Sequence, residues 1–306
     1  MKDDPPLVSI ITPSYNQSAY LEQSMLSVLE QDYPNLEYMV IDGASTDGSA
    51  EIINKYSDRL AWWVSEPDRG QADAINKGFK RARGKYIAWL NSDDLYLPGA
   101  VTQAVSALAA APDIGIVYSD LHSIDANGYH FHTIRYKQYT LADLLAFRII
   151  GQPSVFMRRD VLLQAGLLGT EYQYLLDHHL WIRMAALAPI RYIPQEWAAA
   201  RHHPAAKNIA HAAAFGKEAF RILEWAQTQP ALASVIAENP RRVWGGAYRL
   251  DARYLLEGGA AADSLKAYWR AFKAQPSYTL GHWRRIIYAI LCLIGLSGIK
   301  NLFRSI

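Results

Sequence analysis

Between Leu7 and Leu90 the chain alternates short apolar runs with segments whose apolar residues recur at helical spacing, and the runs end in polar or acidic residues. Leu7-Val8-Ser9-Ile10-Ile11-Thr12 is apolar and β-branched, the pattern of a buried strand, and Pro13-Ser14-Tyr15-Asn16 closes it. Leu21, Met25, Val28 and Leu29 repeat at helical spacing over residues 18–30, with Ser18 as the expected N-cap. Residues 36–42 predict a second strand, 43–49 a turn, and Ile52, Ile53 and Tyr56 a second helix. Strands follow at 60–65 and 85–90, separated by a helix over 70–82. Strand–helix–strand order implies parallel strands with right-handed crossovers. Polar ends emerging together then predict an α/β fold with a mainly parallel, doubly wound nucleotide-binding sheet.

The fourth strand ends in Asn91-Ser92-Asp93-Asp94. Adjacent carboxylates repel, so they usually need a cation between them and an anionic ligand. The alternative is a solvated loop in which Asp93 or Asp94 caps a helix starting near Leu95-Tyr96-Leu97-Pro98. No Gly-x-Gly-x-x-Gly follows the first strand, which argues against a dinucleotide site. Residues 115–119 predict a fifth strand, and 120–136 a hairpin turning at Asn127-Gly128. His122, His130 and His132 lie in that hairpin without a fourth ligand at zinc spacing, so they are expected to be solvated.

Residues 8–16, 42–49, 66–78 and 91–94, in this order, together resemble a family 2 glycosyltransferase with the nucleotide-diphospho-sugar transferase (A-type) fold. The resemblance covers residues 7–208. It implies that Pro13 and Tyr15 pack near a base, that Thr12 contributes backbone groups, and that Asp42 accepts from a base imide, favouring uracil. Loop packing for Tyr15 and helix capping for Asp42 are the alternatives. Arg69, Gln71 and Asp73 fall beside ribose and diphosphate, although Arg69 could form a surface ion pair with Glu66 or Asp73. Asn76 could bridge backbone locally. Asn91 and Ser92 would contact the nucleotide, and Asp93 would ligate Mg²⁺ or Mn²⁺ on the donor diphosphate. Asn91 stands where the family carries its first acid, so this site has one charge fewer.

On the acceptor side the resemblance assigns Asp94, Gln152, His178 and Lys207 to the acceptor or donor sugar, with a plain strand-start role as the alternative for Gln152. Asp177 aligns with the catalytic base of an inverting transfer, which must take the proton of the attacking hydroxyl. A helix N-cap role is its alternative or its second duty. His179 replaces the second acid often found there. His203 is a metal ligand or diphosphate contact, and Arg201 or Lys207 a phosphate contact.

From residue 209 the pattern turns helical, so the division expected is a catalytic domain over 1–208 and a helical appendage over 209–306. Residues 254–269 predict one helix–turn–helix unit. Residues 286–299 are uncharged but shorter than the roughly 20 residues of a membrane span. Arg241 to the end holds eleven Lys+Arg and three Asp+Glu, a balance of +8 against +2 for the whole chain. A basic, apolar tail is what peripheral attachment to an anionic membrane through 282–306 requires, and a buried helix is the alternative. With 306 residues, 51% hydrophobic, the chain can bury a full core. Its one cysteine suits a reducing compartment and no signal peptide opens it, so a cytoplasmic place at the inner face of the cell membrane is expected. The acidic sheet edge argues against a nucleic-acid partner.

The resemblance implies an inverting, metal-dependent glycosyltransferase moving a sugar from a nucleoside-diphosphate donor, UDP favoured, to a glycan or lipid-linked saccharide in cell-surface polysaccharide biosynthesis. One rival is a sugar-nucleotide-binding or scaffold subunit without turnover, supported by Asn91 and His179. Another is a nucleotidyltransferase, which would want a Gly-rich, basic first loop that Pro13-Ser14-Tyr15-Asn16 lacks.

Overall fold

The computed structural model describes residues 4–203 and 212–296. The chain divides into two units, Met1–Tyr139 with Ile150–His202, and Thr140–Ile149 with His203–Ile306.

The first unit holds strands β1 (Val8–Ser14), β2 (Leu36–Asp42), β3 (Trp62–Ser65), β4 (Tyr86–Trp89), β5 (Leu95–Tyr96), β6 (Ile116–Ile124), β7 (His130–Ile134), β8 (Val155–Arg158) and β9 (Ile190–Arg201). They form one sheet in the order β3-β2-β1-β4-β8-β6-β9-β5, with β7 paired to β6. Strands β1 to β4 pair in parallel, as the alternating pattern requires. Beyond them the sheet is mixed: β8 runs antiparallel to β4 and β6, while β9 runs parallel to β6. Helices α1 (Ser18–Leu29), α2 (Ser49–Lys55), α3 (Gln71–Arg81) and α4 (Ala100–Ala109) connect the early strands. The core under α1 and α4 joins Ile10, Val40 and Ala88 of the sheet to Met25 and Val101.

Two local expectations are corrected. Ser18 is not the N-cap of α1; Gln17 is, and the Ser18 N–H donates to the Asp47 carboxylate at 2.8 Å. A charged acceptor from the neighbouring loop thus replaces the local hydroxyl. Leu95-Tyr96 does not start a helix but pairs with β9 as the short strand β5. Pro98 disfavours helical backbone at Leu97, and α4 begins only after Gly99, whose φ is +77°. The Asn127-Gly128 hairpin is present: the Asp125 carboxylate accepts from the N–H groups of Asn127 and Tyr129, and Gly128 takes φ +90°. His130 and His132 are exposed, whereas His122 pairs with Glu196 at 2.7 Å. β9 is unannounced by periodicity because Pro194 interrupts its alternation, where its register against β6 slips between Ser119 and Leu121.

Among the described residues the second unit contains the short helix α5 (Leu141–Leu145) and, after the helices α6 (Arg159–Ala165) and α7 (Leu176–Ala185) of the first unit, a run of six. These are α8 (Ala214–Gln227), α9 (Pro230–Glu238), α10 (Pro240–Glu257), α11 (Ala261–Ala274), α12 (Pro276–Leu280) and α13 (Trp283–Leu293). Pro230, Pro240 and Pro276 each open a helix, where a missing N–H costs nothing. Helices α10 and α11 pack as the expected helix–turn–helix around Ala252, Ala267 and Tyr268. Helix α5 begins with a capping box between Thr140 and Asp143, and Asp143 pairs with Arg242 of α10. Gly246 of α10 meets the Ala146 carbonyl so closely that a Cβ there would overlap it.

Candidate active site

The parallel register of β1 and β2 sets Ser14 beside Asp42, so the loops that follow them share one edge. Asn16, in the left-handed region at φ +50°, laces the loops together: its Oδ1 accepts from Thr46 N–H at 2.9 Å and its own N–H donates to Ser45 Oγ at 2.8 Å. Asp42 is fully buried and accepts from Ser45 N–H (2.9 Å), Ser45 Oγ (2.5 Å) and Ser65 Oγ (2.6 Å). It does not cap α2, whose N-cap is Gly48; Asp47 accepts the Ser49 N–H there. Burial pushes the Asp47 carboxyl up, but hydrogen bonds from Ser49 and Ser18 outweigh it and bring it down to about 2.

Tyr15 projects into solvent, 64% exposed. A Cβ on Gly43 would lie 2.7 Å from Asp68 Oδ2 and 3.3 Å from the Tyr15 ring, so only glycine lets those two side chains close on this edge. Asp68 is fixed by the Gly70 N–H at 2.7 Å. Asp68 opens the 68–73 segment, which the family resemblance sets beside ribose and diphosphate, and it lies just past the third strand. Thr12 and Ser14 are buried beneath the edge, and Thr12 Oγ1 bonds Tyr38 Oη at 2.9 Å.

At the end of β4, Gln71 donates to Asn91 Oδ1 at 2.8 Å, and Asn91 donates to Asp94 at 3.2 Å. The Arg201 N–H donates to Asp94 Oδ1 at 3.0 Å. Asp94 is buried, and that burial, with the adjacent Asp93 second, holds its carboxyl well above the usual range. Arg201 is also buried, and its guanidinium serves the carbonyls of Asp93, Asp125 and Ala126 and the Gln23 side chain. It therefore ties the hairpin to the 91–94 loop, which corrects its expected role as a phosphate contact. Arg69 is exposed and pairs with Asp73 at 3.4 Å, the surface alternative. Ser92 is buried and Asp93 half-buried.

Among the described residues no three His, Cys, Asp or Glu side chains come together to hold a metal ion. The Asp93 carboxylate is a hard oxygen donor, the type that would suit Mg²⁺ or Mn²⁺ bound through one carboxylate with substrate phosphates and water.

Helix α7 is fixed against β4 by aromatic packing. Trp181 stacks on Trp89 with centroids 5.1 Å apart, and Phe79 meets Trp89 edge-on at 5.7 Å. Asp177, one turn before Trp181, is half-buried in the first turn and accepts from the His178 N–H at 2.7 Å; the N-cap is Leu175, so Asp177 is not the cap. Gln152, only 8% exposed, donates to the Trp89 carbonyl at 2.7 Å, while its Oε1 has no hydrogen-bond partner among the described residues. Asn76 bridges the chain at long range, exchanging two hydrogen bonds of 2.9 and 3.0 Å with the Leu168 backbone. Arg183 clamps the carbonyls of Ala165, Gly166 and Leu167. His178 and His179 are buried, and burial drives His179 down to about 3. His203 is buried and opens the second unit; Lys207 lies outside the described residues.

Residues 9–164, half of the chain, match the family model described as Glycosyl transferase family 2. An uncharacterized glycosyltransferase of Rickettsia typhi is 28% identical over 214 residues, covering 65% of each chain. The putative teichuronic acid biosynthesis glycosyltransferase TuaG of Bacillus subtilis is 45% identical over 92 residues, 29% of this chain and 36% of its own. The chain thus spans 65% and 36% of the length of these two curated relatives. Among solved structures, TarS 1-349 of S. aureus in complex with UDP-GlcNAc has a TM-score of 0.64 at 17% identity, over 92% of this chain and 90% of that one. The mannosyltransferase PcManGT of Pyrobaculum calidifontis, in complex with GDP-Man and Mn²⁺, has a TM-score of 0.62 at 21% identity, over 96% and 88%. The fold is therefore the expected A-type glycosyltransferase fold with a C-terminal helical region. With its motifs ordered along that sheet and half its length matched, the chain belongs to glycosyl transferase family 2.

Proposed function

We propose that this protein is an inverting glycosyltransferase that transfers a sugar from a nucleoside diphosphate, UDP favoured, to a hydroxyl of a glycan or lipid-linked saccharide. The observation that carries the reading is the Trp89–Trp181 stack, which ties the Asp177 turn of α7 to the strand that ends in Asn91–Asp94. Residues 1–208 form the catalytic part in this reading, and 209–306 the appendage. Cell-surface polysaccharide assembly is the proposed setting, supported by the likeness to TuaG, a putative teichuronic acid biosynthesis glycosyltransferase.

Tyr15, Gly43 and Asp68 frame the nucleotide, and Asp42 holds its loop through Ser45 and Ser65. Asp93 would hold Mg²⁺ or Mn²⁺, which would supply positive charge to the departing diphosphate. The acceptor oxygen bonds to the anomeric carbon as the carbon–diphosphate oxygen bond breaks, and the hydroxyl proton passes to the Asp177 carboxylate. Gln152 Oε1, buried and lacking a donor, accepts from a sugar hydroxyl, because leaving such an acceptor bare costs about 1–3 kcal/mol.

The test is thermal stabilisation by UDP, GDP, CDP and dTDP, with and without Mn²⁺, on wild type and Asp93→Ala. A ligand at about a hundred times its dissociation constant adds roughly 2.7 kcal/mol. The expected result is a metal-dependent shift with one nucleotide, lost in Asp93→Ala. No shift with any nucleotide would refute the donor-binding reading. Asp177→Asn should keep that shift and lose transfer by about 10²–10⁴-fold; undiminished turnover would remove Asp177 from its role.

A further inference from the structure

Helix α13 carries apolar residues on two opposite sides, and among the described residues only one of these sides is covered. Ala289 and Cys292 pack toward Leu256, Ala261 and Leu265. On the other side Trp283, Ile287, Ile290 and Ile294 are 55%, 41%, 48% and 65% exposed. Their spacing confines them to about 60° of the helix circumference at 3.6 residues per turn.

Helix α11, in the same unit, adds charge and further aromatic surface. Trp269 is 60% exposed and its ring stacks on Phe272 at 5.9 Å. Lys266, Arg270 and Lys273 are exposed and share its face at helical spacing. Lys273 lies 5.9 Å from the Trp269 ring, and Arg284 lies 5.3 Å from the Trp283 ring. From Ser264 to Ile306 the sequence contains seven Lys+Arg and neither Asp nor Glu.

We propose that these faces of α11 and α13 dock on an anionic lipid surface, the helices lying in the headgroup plane. Tryptophan rings and aliphatic stripes enter the acyl boundary while lysine and arginine stems reach phosphate. No described helix is long and apolar enough to cross a membrane. Charge selects the occupant. Lys266 already pairs with Asp263 and Arg285 with Glu257, each at 2.9 Å, which leaves Arg270, Lys273 and Arg284 with no ion pair among the described residues, and a second copy of the same faces would set like charges against them. Anionic headgroups would neutralise these three. The inference is independent of the donor or acceptor chemistry proposed above.

The experiment is co-sedimentation of the full chain with vesicles of phosphatidylcholine alone and of phosphatidylcholine mixed with phosphatidylglycerol. Binding is expected to the mixed vesicles, at least about tenfold tighter than to the neutral ones, and to weaken with added salt. The variant Trp283→Ser/Ile287→Ser/Ile290→Ser should lose it with the melting temperature unchanged. Lys266→Glu/Arg270→Glu/Lys273→Glu should lose the preference for anionic lipid, and it leaves α13 intact should the first variant prove unstable. Failure of the wild type to bind mixed vesicles, or full binding by both variants, would overturn the proposal. So would concentration-dependent self-association that the serine variant abolishes, which would assign the face to a second copy.

Discussion

His179 illustrates what burial does to one residue. It occupies the place of an acid, its ring lies 4.3 Å from that of Tyr172, and burial first, then Arg183, holds its pKa down to about 3 against an ordinary 6.5. The unfolded chain therefore binds a proton below about pH 6.5 that the folded chain refuses until about pH 3. Stability from this residue is complete above pH 6.5 and falls as pH drops through that window, by at most about 1.4 kcal/mol per pH unit. His179→Leu should flatten the melting temperature between pH 6.5 and 4; a slope parallel to wild type would show that other groups carry the acid sensitivity. At this scale the sequence supplies the chemistry but not the partner. Asp42 bonds Ser45, three positions on and within local reach, but equally Ser65, which no spacing rule predicts. Arg201 resembled a phosphate ligand by type, yet three carbonyls and a glutamine already occupy it.

Among the elements, α7 depends on contacts far away in sequence. The Asn76–Leu168 bridge links α3 to the segment that leads into α7. Asn76→Ala leaves a buried N–H and carbonyl of Leu168 unmatched and should cost about 1–3 kcal/mol. Because that segment precedes Asp177, transfer should fall while nucleotide-induced stabilisation persists. Loss of both together would instead point to collapse of the whole site. Elements with a strong local signal were legible: the parallel strands and the Asn127-Gly128 turn. β9 was not, since an interior proline and a register slip erase its alternation. Nor was β5, two residues long and defined only by its partner.

For the whole molecule, composition and tertiary association divide the chain differently. The pattern turns helical at 209, but Thr140–Ile149 belongs with the helical unit. Its bonds there are specific: Asp143 to Arg242, the Phe147 carbonyl to Arg249 at 2.8 Å, and Ala146 against Gly246. A chain ending at residue 208 would lose these partners and uncover Leu144, Leu145 and Phe147, all fully buried in the full chain. At about 1.5–3 kcal/mol per side chain, that fragment should melt lower and self-associate on size exclusion. A monomeric fragment with wild-type melting temperature would show that the 140–149 segment needs no such cover.

The amino-acid sequence by itself determined the order of the early strands, the acids at their ends, the turns and the family. These follow from side-chain periodicity and from Gly, Pro, Asn and Asp chemistry acting over a few residues. Tertiary structure alone decided that Ser65 reaches Asp42, that Arg201 braces the 91–94 loop, that β8 enters antiparallel, and that residues 140–149 join the helices. Each of these rests on segments tens of residues apart meeting in the folded chain. Burial then decides which donor reaches which acceptor, and no local pattern encodes that choice.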